Sequence, residues 1–155
     1  MSELRTQTLE ALRHYAVRYQ ESAHRFAAWM DLPMSDGAAL GEVIWAENEG
    51  DPLSAARLRW RIGMTSGATN ALVKRLEERG LVTRTRESVD RRIVTLRATD
   101  AARRRADGFF GTRVQGLEVA LGHYDDRTLE VVREFLDRLA AVLPGDPGRT
   151  GDPDA

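Results

Sequence analysis

The apolar rhythm of this chain changes period at Gly80, and few folds accommodate such a change in so short a space. Upstream, Ser54 can cap a short helix over 55 to 62 with Ala55, Leu58 and Ile62 on one face. Gly63 stops it, and Thr65 can cap a second helix over 66 to 79 that Gly80 terminates. Two short helices joined by about three residues, one of them Gly, make a helix-turn-helix candidate. Downstream, LVTRTR (81 to 86) and RIVTL (92 to 96) are rich in β-branched residues and alternate, which predicts a hairpin with residues 87 to 91 at its tip. The expected fold class is therefore mainly α with a small β-hairpin wing, a winged helix-turn-helix.

Long helices flank this core. Leu9, Leu12, Ala16, Tyr19, Ala23, Phe26 and Met30 keep a 3,4 spacing through residues 4 to 30, the mark of a long helix with a narrow apolar seam. Pro33 breaks it, Ser35 can cap the next helix, and Gly50-Asp51-Pro52 ends that one near Glu49. From Thr99 or Asp100 a helix runs to about Tyr124 with Phe110, Val114, Leu117, Leu121 and Tyr124 in register. Asp125 or Asp126 caps a last helix whose Leu129, Val132, Leu136, Leu139 and Leu143 repeat the rhythm. Gly108, Gly111, Gly116 and Gly122 interrupt the fifth helix, where close packing, a hinge or a tolerated bend would each account for them. Residues 1 to 143 read as one domain, with a central lobe over about 36 to 99, and PGDPGRTGDPDA, from Pro144 onward, as a disordered tail.

Charge is distributed unevenly. Residues 57 to 105 hold 14 Lys or Arg against 5 Asp or Glu, and the remainder 9 against 19, so the formal net charge of −1 is a cancellation. Such asymmetry suggests a polyanion partner for the middle segment, or else a basic face that is merely solvated. Cysteine is absent, which excludes disulfides and thiol chemistry. No run of about 18 apolar residues and no signal-like N-terminus appears, so no membrane association and a cytoplasmic location are expected. His14, His24 and His123 have no i,i+4 partner, and neither a metal site nor a cofactor is expected. No triad, phosphate loop or paired-acid motif stands out, so no catalytic residues are assigned and an enzyme is not expected.

On a helical wheel for 66 to 79, Thr69, Leu72, Val73 and Leu76 fall on one side, and Ser66, Gly67, Asn70, Ala71 and Lys74 on the other. The second set suits the edges of bases in a major groove: Asn with adenine, Lys with guanine, Ser with several acceptors, Ala with a thymine methyl, and Gly for close approach. It is also what any amphipathic helix with a polar outer face would show. The hairpin adds to it. Arg84, Arg86, Arg91 and Arg92 project from one narrow ribbon, able to meet phosphates and a minor groove, and Arg75 can join them on the DNA backbone. Asp90 sits among these cations either to hold Arg92 in one rotamer or to make the turn.

The stretch MTSGATNALVKRLEERGLVTRTRESVDRRIVTLRATDAARR, residues 64 to 104, resembles the core of MarR-family winged-helix transcription regulators: a helix, then R-L-E-x-x-G-L-V-x-R, D-x-R at the wing, and Thr before the next helix. The resemblance implies a homodimer joined by its N- and C-terminal helices, about 4 to 30 and 100 to 143. It also implies a recognition helix at 66 to 79 on double-stranded DNA, and Arg92 in the minor groove. A small-molecule effector is implied too, in a pocket near Trp29, Trp45, Phe109 and Phe110 that would suit an aromatic or phenolic compound and relieve repression. The chain departs from the family pattern at Leu58-Arg59, where Leu-Ala is common, and at Ala98-Thr99, where Leu-Thr-x-x-Gly is usual. A winged-helix dimer turned protein-interaction module, its basic face on an acidic partner, is the alternative.

Overall fold

A computed structural model of the chain describes residues 2 to 86 and 94 to 142. Among them are six helices and one two-stranded sheet: α1 (Glu3–Trp29), α2 (Met34–Asn48), α3 (Ala55–Ile62), α4 (Ser66–Glu78), β1 (Val82–Arg86), β2 (Val94–Ala98), α5 (Asp100–Leu121) and α6 (Asp126–Val142). The chain divides into two compact units, one reaching Ala106 and the other starting at Asp107. The expected tail and wing tip, with Asp90, Arg91 and Arg92, lie outside the described residues.

Local rules account for most boundaries. The Ser54 hydroxyl accepts the Arg57 amide at 3.2 Å, and the Thr65 hydroxyl accepts that of Ala68 at 3.3 Å. Thr99 begins α5 by accepting the Ala102 amide at 3.1 Å while donating its proton to the Gly80 carbonyl at 2.8 Å, and Asp125 begins α6 by accepting the Thr128 amide at 2.8 Å. Gly63, with φ of 66°, closes α3 in the left-handed region that costs a residue without a Cβ least. Ser35 does not cap α2. That helix already starts at Met34, with Pro33 as its N-cap residue, and the Ser35 hydroxyl donates to Asp36 instead. β2 extends to Ala98 rather than stopping at Leu96, because Val82 pairs with Ala98 and Thr83 with Arg97 in the antiparallel register. The fifth helix ends at Leu121, short of the expected Tyr124, with the Gly122 amide returning to the Glu118 carbonyl at 2.9 Å.

The core of the first unit is built from Phe26 and Ala27 of α1, Met30 just after it, Leu40 and Val43 of α2, Leu53, Leu58 of α3, Leu72 and Leu76 of α4, and Leu96 of β2, all buried. α2 packs against α1, α3, α4 and β2. It lies tight against α1 at Gly37, which is buried and would bring a Cβ into Ala27. The end of α1 is tied to α5 by two reciprocal bonds: the Trp29 indole donates to the Arg105 carbonyl at 2.9 Å, and the Arg105 guanidinium donates to the Trp29 carbonyl at 2.8 Å.

Parts of the apolar seams of the terminal helices are left uncovered among the described residues. Leu9, Tyr15 and Tyr19 of α1 are exposed, as are Val114 and Leu117 of α5 and Val132, Phe135 and Leu136 of α6, and none of the described residues of α6 is buried. Helices with an apolar stripe facing water call for a further surface to cover it. Gly111 and Gly116 of α5 are not explained by close packing among the described residues: a methyl added at either would meet nothing within 4 Å.

Candidate nucleic-acid interface

α4 divides as its wheel predicts. Thr69, Leu72, Val73 and Leu76 are buried, while Ser66, Gly67, Asn70, Ala71 and Lys74 are exposed along its outer face. The packed side fixes the helix, so the outer side is presented on a rigid element rather than on a loop. Next to its first turn, the Arg59 guanidinium donates to the Ser66 hydroxyl at 2.7 Å and lies 4.5 Å from the centre of the Trp60 ring. Arg59 thus joins α3 to the start of α4, a role its departure from the family pattern did not suggest. Ala55, Ala56, Arg59, Ser66, Thr69 and Asn70 line a shallow depression of about 230 Å³ in the crook of the two helices. A phosphate or a base edge meets donors and acceptors there, with one cation among them.

The cations behave differently from their outline in the sequence. Arg75, expected on the DNA backbone, donates through Nε to Asp36 at 3.0 Å and through Nη2 at 2.6 Å, a two-pronged pair that ties α4 to α2. The Asp36 side chain is only 2% exposed. The Arg75 hydrogen bonds hold its carboxyl below the usual carboxylate range, against the opposing effect of burial and with further help from Ser35. The Arg84 guanidinium, also expected on DNA, shares both oxygens of Glu77 at 3.2 Å. Arg57 pairs with Asp51, Arg61 with Glu42 and Arg79 with Asp31. Much of the basic excess of residues 57 to 105 is therefore met inside the fold by acids from the flanking sequence. Lys74 keeps a loose contact with Glu78 at 3.8 Å, both side chains being well exposed, and Arg86 stands exposed at the end of β1.

Two acids matter here that sequence reasoning passed over, Asp36 and Glu47. They stand in 4,3,4 spacing with Leu40 and Val43, so the buried stripe of α2 begins and ends on a carboxylate. An acid in line with an apolar stripe is the signal that would have found them.

The four aromatic residues expected around an effector lie on different elements. Trp29 of α1 is engaged with Arg105, and Trp45 of α2 is 61% exposed. Phe109 of α5 is buried, meets the edge of Phe110 at 5.0 Å, and has the Arg113 guanidinium 3.8 Å from its ring centre. Among the described residues no three His, Asp or Glu gather as a metal site, and no helix is long and apolar enough to cross a membrane.

Comparison with known proteins places this arrangement. Residues 38–93 match the sequence model of the MarR family. The uncharacterized HTH-type transcriptional regulator YcgE of Bacillus subtilis (strain 168) is 28% identical over 96 residues, and the match spans 62% of this chain and 62% of that protein. Among solved structures, the transcriptional regulator BldR from Sulfolobus solfataricus is 26% identical, with a TM-score of 0.53 over 89% of this chain and 99% of that one. S. aureus MepR in its complex with DNA is 15% identical, with a TM-score of 0.58 over 86% of this chain and 94% of that one. The matched segment contains α3, α4 and β1, so the chain is similar to the MarR family over its central lobe and shares the fold of these solved structures along most of its length.

Proposed function

We propose that the chain is a homodimeric, sequence-specific DNA-binding transcriptional regulator that acts as a repressor and is released by a small molecule. The observation that carries this reading is the outer face of α4, where Ser66, Gly67, Asn70, Ala71 and Lys74 are exposed together on a helix whose other side is locked into the core. The likeness in fold to MepR, which has been solved with DNA, supports it. In this reading those five residues meet base edges, and Arg84, Arg86 and Arg91 meet backbone. Arg92, with Asp90 beside it, enters the minor groove. Arg75 acts at the backbone only through the part of its guanidinium that Asp36 leaves, its side chain being half exposed. A small aromatic or phenolic effector would release DNA by binding better to a DNA-incompetent geometry.

Fluorescence anisotropy on the DNA upstream of the gene, against a scrambled duplex, tests the first part. Between about 50 and 200 mM salt, several phosphate contacts should make affinity fall by roughly a hundredfold or more. Asn70→Ala should cost about 1–3 kcal/mol on the upstream duplex and almost nothing on the scrambled one. Equal, salt-fragile binding to both duplexes, untouched by the substitution, overturns sequence-specific recognition of that DNA.

The dimer has its own test. Val132→Glu combined with Leu136→Glu puts charge on the uncovered face of α6. Sedimentation should show the unaltered protein as a dimer and the variant as a monomer with its helical content kept. A monomer in both cases removes the homodimer from the reading.

A further inference from the structure

The wing has a second edge, and that edge is held by Glu47 of α2 together with the segment that precedes α3. β1 occupies one side of β2, from Val82 opposite Ala98 to Arg86 opposite Val94. On the other side the Leu96 amide donates to the Leu53 carbonyl at 2.7 Å, Thr95 bridges to Ser54, and the Ala98 amide donates to the Glu47 carboxylate at 3.0 Å. Amides two residues apart leave a strand on the same side, so Leu53 and Glu47 stand where a third strand would. Glu47 is thus a side-chain acceptor completing the ladder.

That carboxylate is 3% exposed and also takes Arg103 Nη2 of α5 at 2.6 Å and Arg97 Nη1 of β2 at 3.5 Å. A buried carboxylate is tolerated when its oxygens are satisfied in this way. Three elements, α2, β2 and α5, meet at one side chain. Glu47 is too enclosed to touch a polyanion itself, yet it fixes the lateral position and tilt of the strand that leads out of the wing.

We infer that Glu47 is the positioning residue of the wing: by accepting the Ala98 amide together with the Arg97 and Arg103 guanidinium groups, it fixes the ribbon relative to α4 so that both can engage one duplex. The inference rests on the DNA-binding reading above. It assigns to Glu47 an effect on affinity that passes through the wing arginines and through no contact of its own.

Glu47→Gln keeps the size of the side chain and an oxygen for the Ala98 amide while removing the charge that gathers the two arginines. It is combined in a double-mutant cycle with a neutral wing in which Arg84, Arg86, Arg91 and Arg92 are all Ala. Anisotropy at 50 mM salt uses a fluorescein-labelled duplex from upstream of the gene. With the wing intact, Glu47→Gln should raise Kd roughly tenfold, a typical size for coupled side chains. With the wing neutral the same substitution should raise it less than about twofold, although any loss of thermal stability should be the same in both backgrounds. A merely structural role would weaken binding equally in both. Arg103→Gln, which loosens the same clamp from α5, must show the same wing-dependent loss and keeps the test decisive should Glu47→Gln fail to fold. Unchanged affinity, or equal losses in the two backgrounds, overturns the inference. Failure of the unaltered protein to bind the duplex overturns the DNA-binding reading for that duplex, and this one with it.

Discussion

Replacing Gly37 with Ala should lower the melting temperature by roughly 6–12 °C, an overpacking cost near the upper end of the usual range in a chain of this size. A Cβ there would sit 2.4 Å from the Cβ of Ala27 and 2.7 Å from its Cα, distances at which α1 and α2 must move apart. Neither neighbouring atom can swing away, since one is backbone and the other is fixed to it. Gly41, one turn along α2, is the control: a Cβ there meets only Phe26 Cε1 at 3.8 Å, an ordinary contact. Gly41→Ala should therefore be neutral or stabilising, helped by up to about 1 kcal/mol of helix propensity. Thermal melts followed by circular dichroism separate the two, and equal shifts would show that the helix crossing does not depend on Gly37.

The second large effect is expected at Arg75. Its removal leaves the Asp36 carboxyl buried without its two strongest bonds, and the melting temperature at neutral pH should fall by roughly 5–10 °C. The pH dependence identifies the cause. Asp36 titrates below its ordinary value in the folded protein because Arg75 bonds its charged form. The resulting stability is complete above the unfolded carboxyl value of about 3.9 and is lost as pH falls through the lower folded value. In Arg75→Ala, burial acts on Asp36 with less opposition and raises its pKa, so the variant no longer gains from ionising it. The gap between the two proteins should be widest near pH 7 and narrow steadily toward pH 3. A gap that is constant across that range would assign the loss to packing of the Arg75 stem and not to the ion pair.

What could be read from the chain follows the range of the forces involved. Caps at Ser54, Thr65, Thr99 and Asp125 and the left-handed stop at Gly63 are contacts within a few residues, and each occurs where the sequence placed it. The two faces of α4 were legible for the same reason, since a helical wheel needs no knowledge of the partner. Long-range pairing was not. The sequence shows Arg75 and Arg84 as cations available to DNA, whereas the fold brings Asp36 to the first across 39 positions and Glu77 to the second. Counting charge by segment overstates the field of the middle segment, because Asp31, Glu42, Glu47 and Asp51 return to it from outside. Ser35 has the chemistry of a cap, but Pro33 already supplies a fixed φ one residue ahead of the first turn, and the hydroxyl turns to Asp36. The wing tip, where Asp90, Arg91 and Arg92 were assigned, falls outside the described residues.

The separation of α4 into a locked side and a presented side bears on how such a chain can change its target. Exposed positions such as Ser66, Asn70 and Lys74 lie away from Leu72, Val73 and Leu76, and substitutions at sites of that kind usually alter stability by no more than about 0.5 kcal/mol. New preferences can then be sampled at the outer face without eroding the margin that keeps the fold intact. On the proposed DNA-binding reading, gene duplication followed by drift at a handful of positions would suffice to send two copies to different promoters. The same economy makes this helix a practical graft: its outer residues can be exchanged as a set, provided Arg75 travels with Asp36.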